Sequence, residues 1–147
     1  SPVGLAQPKD RTLAYADVKS AKAEENVLRL LFTDQKLIHS VEEQLPAAWF
    51  SAPVLRKIYE RVLELDRSGS LVDALAFEGQ LETGEMSLLA GILEQGVPPG
   101  DHRAELREYI NTIRLQRVKD GTLTQAGEDP LLTFGRMKNQ NAGGQTI

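Results

Sequence analysis

Few residues in this chain are able to do covalent or metal chemistry. There is no cysteine, so a thiolate zinc site, a disulfide framework and a cysteine nucleophile are excluded. The two histidines, His39 and His102, stand alone, with neither a second histidine nor a carboxylate at the spacing of an H-E-x-x-H ligand motif. No G-x-S-x-G elbow, no G-x-x-x-x-G-K-[ST] loop and no G-x-G-x-x-G turn occurs. Carboxylates pair at Glu42-Glu43, Glu60/Glu64 and Glu78/Glu82. Acid–base or metal work needs such groups to converge in a dry pocket. Glu60 and Glu64 lie one helical turn apart beside Arg56, Lys57, Arg61 and Arg67, the pattern of a solvated, salt-bridged face. Glu78-Gly79 has the form of an acid–glycine element of nucleotidyl transfer, but no Asp-x-Asp follows and no strand precedes it. It reads as a helix end. The expectation is a chain with no catalytic residue, no metal ligand and no cofactor of its own.

Composition bounds the class. Hydrophobic residues make up 41% and charged residues 26%, which suits a folded domain rather than a disordered one. The net charge is −4. Affinity for duplex DNA comes largely from Lys and Arg set against phosphates, so tight, sequence-independent DNA binding is not expected. The imbalance lies in residues 1–100, with 10 basic and 15 acidic side chains, whereas residues 101–147 carry 7 and 6. No run approaches the length of a membrane span.

The patterning is helical throughout, with no β-branched alternating run. Residues 1–20, with Pro2, Gly4 and Pro8, read as a linker or disordered N-terminus. From Lys22 an apolar face carries Val27, Leu28, Leu30, Leu31 and Phe32, with Glu24-Glu25 placed in the first turn. Asp34 caps a second helix with Leu37, Ile38, Val41 and Leu45, which Pro46 ends. Ser51 caps a third, with Pro53 in its first turn, the stripe Leu55, Ile58, Tyr59, Val62, Leu65, and a stop at Gly69. Trp49, Phe50, Ile58 and Tyr59 are assigned to the core. A fourth helix holds Leu71, Val72, Leu75, Ala76 and Leu81, and Thr83-Gly84 breaks it. A fifth holds Met86, Leu89, Ile92 and Leu93.

Val97-Pro98-Pro99-Gly100 is the strongest breaker, and a subdomain boundary is placed there. Asp101 then caps a long helix with Leu106, Tyr109, Ile110, Ile113 and Val118. Asp120-Gly121 turns, and Asp129-Pro130 opens a last helix with Leu131, Leu132, Phe134 and Met137. The expected fold is all-α: a compact helical bundle over residues 21–97, a C-terminal helix-turn-helix hairpin over 101–140, and a disordered tail over 141–147. The hairpin has more apolar residues than two antiparallel helices can hide, which marks it either as a docking element or as a segment that folds back on the bundle. Arg107, Arg114 and Arg117 share one face of the long helix, suited to an acidic partner or to keeping the helix soluble. Arg114, Leu115, Val118, Leu131, Phe134 and Met137 are the expected partner-binding residues.

A family resemblance rests on particular residues. Ala23-Glu24-Glu25-Asn26-Val27-Leu28-Arg29-Leu30-Leu31-Phe32, then Asp34-Gln35-Lys36-Leu37-Ile38, resembles the opening of the carboxyl-terminal helicase-binding domain of bacterial DNA primase. Leu45-Pro46-Ala47-Ala48-Trp49-Phe50, Pro53, Arg56-Lys57-Ile58-Tyr59 and Leu63-Glu64-Leu65 continue it, over roughly residues 22–119. The same pattern is similar to the amino-terminal domain of the replicative helicase, which shares this fold. The long helix followed by a short terminal one favours primase, although residues 121–127 depart from that family's charged hairpin. The resemblance implies a non-catalytic domain that docks primase on the hexameric replicative helicase in the bacterial cytoplasm and is a monomer by itself. Zinc, magnesium and the nucleotidyltransferase centre would belong to domains outside this chain. The alternative is the helicase amino-terminal domain, which self-associates and binds primase.

Overall fold

The structure, a computed structural model, describes residues 15–123 of the 147. Among these residues it is all-helical, with five α-helices: α1 (Val18–Thr33), α2 (Ile38–Gln44), α3 (Pro53–Arg67), α4 (Thr83–Glu94) and α5 (His102–Lys119). Three short 3-10 turns, Gln35–Leu37, Ala47–Trp49 and Ala74–Phe77, lie between them. Two compact units are distinguished, Ser1–Ile113 and Arg114–Ile147.

The ends of the helices follow from local chemistry. Asp17 caps α1 by accepting from the Ser20 N–H at 3.0 Å. This sets the start of the helix at Val18 rather than Lys22, so Glu24 and Glu25 fall in the interior of α1 and not in its first turn. Asp34 accepts from the Lys36 N–H and opens the 3-10 turn ahead of α2. Pro53 occupies the first turn of α3, where its missing N–H removes no helical bond. Gly69 ends α3 at φ 76°, a left-handed conformation that costs a residue with a Cβ atom. Asp101 accepts from the Arg103 and Ala104 N–H groups and starts α5.

The expected fourth helix is instead a single turn, Ala74–Phe77, capped by Asp73. Thr83-Gly84 does not break a helix but lies in the first turn of α4. Glu82 and Glu85 form a reciprocal capping box that starts the helix there. The boundary expected at residue 97 is only a turn within the first unit: Leu106, Ile110 and Ile113 of α5 are buried in the same core as α1–α4. The unit division falls inside α5, between Ile113 and Arg114. The expected linker lies largely, and the last helix and tail entirely, outside the described residues.

α1 is the central element. It packs against α3, α4 and the Gln35–Leu37 turn. Besides Val27, Leu28, Leu30 and Leu31 it buries Ser20, Glu24, Glu25 and Arg29. Glu24 is fully enclosed, and its carboxylate accepts from four donors. These are Ser20 Oγ at 2.6 Å, Ser51 N at 2.9 Å, Ser51 Oγ at 2.7 Å and Ala52 N at 3.2 Å. Ala52 is the N-cap of α3 and has no capping side chain of its own. Glu24 supplies that cap from across the core, placing a negative charge at a helix N-terminus. Ser51 was the expected cap. It takes part instead as a donor to Glu24.

Phe50, Ile58 and Tyr59 are buried as expected, while Trp49 is only half-buried at the margin of the core. The Tyr59 ring stacks on Phe50 with centroids 4.5 Å apart, and its hydroxyl donates to the Leu45 carbonyl at 2.6 Å. Burial, with Glu42 nearby, pushes the Tyr59 phenol far above its usual range, so it remains a neutral donor.

Replacing Glu24 with Ala is expected to destabilise the domain by about 4 kcal/mol, because several donors lose a buried charged acceptor at once. Tyr59→Phe, which leaves one carbonyl without its donor, is expected to cost about 1–2 kcal/mol. Urea denaturation followed by circular dichroism measures both, and equal losses would contradict the central place of Glu24.

Candidate protein-interaction surfaces

The chemistry-bearing residues do not converge. No group of three His, Asp or Glu side chains able to hold a metal occurs among the described residues. His39 is exposed on α2. His102 begins α5 with its Nδ1 3.9 Å from Asp34 Oδ2. Glu78-Gly79 is a turn, with Gly79 at φ 82°. No described helix is long and apolar enough to cross a membrane.

Glu60 and Glu64 line an open cleft of about 530 Å³ along α3. Ala47, Leu63 and Leu81 form its apolar part, and Lys57, Arg61 and Arg67 alternate with Glu42, Glu60 and Glu64 around it. Most of these charges are already matched. Arg61 pairs with Glu64 at 2.7 Å, Arg67 with Glu42 at 3.3 Å, and Lys57 with Glu85 of α4 at 2.8 Å. The last bond, together with the Glu82 N–H, holds the Glu85 carboxyl below its ordinary range. Mutually neutralised charges in an open cleft leave no base or acid poised for catalysis.

Arg61 is the exception in that cleft. Its Nε is buried with no hydrogen-bond partner, and its Nη2 reaches the Ala76 carbonyl only at 3.5 Å. Ala76 belongs to the Ala74–Phe77 turn, which with the loop before it carries the most exposed large apolar side chains of the described residues. Leu71 is 69% exposed and Leu75 72%. Between and beyond them Val72 and Phe77 are buried, and Phe77 packs on Phe32 at 5.6 Å. Gln35 bonds the Ser70 carbonyl with its Nε2 and the Val72 N–H with its Oε1, at 2.9 and 3.0 Å. The loop is therefore pinned from below while two leucines point outward. Sequence reasoning placed Leu71 and Leu75 in the apolar stripe of a helix. The loop forms one 3-10 turn instead, so i and i+4 face the solvent rather than the core.

Of the expected partner-binding residues, Arg114, Leu115 and Val118 lie together on the last turns of α5. Arg114 is exposed and Leu115 is 45% exposed. Leu131, Phe134 and Met137 lie outside the described residues. The proposed arginine face is narrower than expected. Arg107 and Arg114 are exposed, but Arg117 is buried and its Nε donates to Asp120 at 2.9 Å.

A family model for the DnaB-like helicase N terminal domain matches residues 16–114. The chain belongs to the DnaB-like helicase N-terminal domain family. The match spans α1 to α4 and most of α5. It supports the alternative named from the sequence over the primase assignment, which is corrected accordingly. The residues that carried the primase resemblance are mostly the apolar positions of a shared bundle, and such positions report the core rather than which member of the pair carries it. Neither the curated proteins nor the solved structures yield a match to the chain.

Because Leu71 and Leu75 bury little, Leu71→Ser with Leu75→Ser is expected to leave unfolding free energy within about 0.5 kcal/mol of wild type. Lys57→Gln is expected to return the Glu85 carboxyl toward the ordinary glutamate range, read by carbon-13 carboxylate titration. The Lys57–Glu85 pair stabilises the fold at neutral pH, and that contribution is lost as pH falls through the lowered Glu85 value. An unmoved titration in Lys57→Gln would refute this coupling.

Proposed function

We propose that this chain is a non-catalytic interaction domain of the replication machinery, of the kind found at the amino terminus of the replicative helicase. It associates with further copies of itself and binds primase. The family match over the bundle carries this reading, and the exposed Leu71 and Leu75, on the loop whose Ala76 carbonyl Arg61 approaches, supply a surface suited to it. Two apolar anchors next to an unsatisfied guanidinium N–H, inside a polar rim, have the composition of an interface hot spot. The Leu71–Leu75 face is assigned to self-association. Arg114, Leu115 and Val118 are assigned to the second partner. Docking of primase would raise its local concentration at newly unwound DNA without any new contact to DNA.

Size-exclusion chromatography with light scattering tests this reading. The chain run alone is expected to form dimers or larger rings, and Leu71→Ser with Leu75→Ser to weaken that association more than about tenfold. A chain that stays monomeric, whether or not it co-elutes with the hexameric helicase, would overturn the helicase reading.

A further inference from the structure

A small crevice in the first unit carries a charge opposite to that of the chain. It lies between α2, with the turn before it, and the first turns of α5, and its volume is about 80 Å³. Lys36, Arg103 and Arg107 line it together with Ser40 and Gln44, above Leu37 and Leu106. No carboxylate lines it, although the chain as a whole carries a net −4.

Ser40 and Gln44 are one helical turn apart on α2, and Arg103 and Arg107 one turn apart on α5. Two rows of donors thus face a common space. Among the described residues none of the three cationic side chains makes an ion pair or a hydrogen bond. The nearest acids in sequence are engaged elsewhere. Asp34 accepts from the Lys36 N–H and lies near His102, and Asp101 accepts from the N–H groups of Arg103 and Ala104. Leu37 and Leu106 are buried and give the crevice an apolar floor, while Lys36, Arg103 and Arg107 are exposed above it. Three like charges around one space repel one another until an anion enters.

We propose that this crevice binds a single phosphate group. The space exceeds the roughly 10–15 Å³ that one water needs several times over, which leaves room for one tetrahedral oxyanion. Two guanidinium forks, an ammonium, a hydroxyl and an amide match the acceptor-only oxygens of phosphate. A nucleic-acid backbone and a small phosphate-bearing metabolite present the same group. One such contact is weak by itself, with a dissociation constant on the order of millimolar, which agrees with a chain too acidic for tight DNA binding. The inference does not depend on which helicase-associated function the domain serves.

The test is a nitrogen-15 NMR titration of the 147-residue chain with inorganic phosphate, against sodium chloride at equal ionic strength. Saturable shifts are expected at the amides of Lys36, Ser40, Gln44, Arg103 and Arg107. Arg107→Gln on one wall, and Lys36→Gln on the other, are each expected to weaken binding about fivefold or more. Lys22→Gln, an exposed cation on α1, is expected to leave the binding unchanged. Displacement of phosphate by a short oligothymidylate would identify a nucleic-acid backbone as the source. Phosphate binding without that displacement would identify a small phosphate-bearing molecule. Absence of saturation, identical shifts with chloride, or wild-type affinity in both wall variants would overturn the proposal.

Discussion

A buried carboxylate must be matched by donors on every side, and Glu24 imposes that condition on the whole bundle. Its partners come from α1 itself and from the start of α3, so the two helices are fixed in both distance and rotation. An apolar contact would tolerate sliding between them. A charge enclosed without its donors would cost several kcal/mol, comparable to the whole stability of a domain of this size. The helix that caps itself poorly is thereby started by a residue far away in sequence.

Two further polar side chains extend the same logic from the one helix and the turn that follows it. Arg29, also buried, donates its Nε to the Ile92 carbonyl at 2.8 Å, one of the last carbonyls of α4, where a cation complements the helix dipole. Gln35 bonds both sides of the loop at Ser70 and Val72. α1 and its trailing turn thus hold the start of α3, the end of α4 and the loop between those helices. Because that loop is held by hydrogen bonds and by Val72 and Phe77, its exposed leucines form a fixed surface.

Such a scaffold suits a protein that recognises rather than reacts. Its fully buried carboxylate is spent on helix capping, and the carboxylates around the cleft lie in the open, mostly paired with cations. The surfaces left over differ in kind. One is apolar, with the Arg61 Nε left without a hydrogen bond at its edge, and one is a cationic crevice in an acidic chain. The family places the bundle among helicase-associated domains. Fold alone does not say which side of a helicase–primase contact it occupies, because function rests on such surfaces and not on the core beneath them.

The helical class, the existence and order of the five helices though not the starts of α1, α2 and α4, the stop at Gly69 and the core residues Phe50, Ile58 and Tyr59 were legible in the sequence. They depend on period, caps and breakers, which act within one or two helical turns. The role of Glu24 was not legible, since an acid near a helix start and an acid buried against another helix look alike without the partner. Leu71 and Leu75 were read as part of a helix for a similar reason. Their spacing fits a helix, but the bonds from Gln35 and the insertion of Val72 and Phe77 select a single turn that faces them outward. The cationic crevice joins residues more than sixty positions apart, each unremarkable in its own segment. What the chain wrote locally is where helices begin, end and turn an apolar face. Which polar groups are enclosed, and which apolar ones are left in water, was decided only when distant segments met.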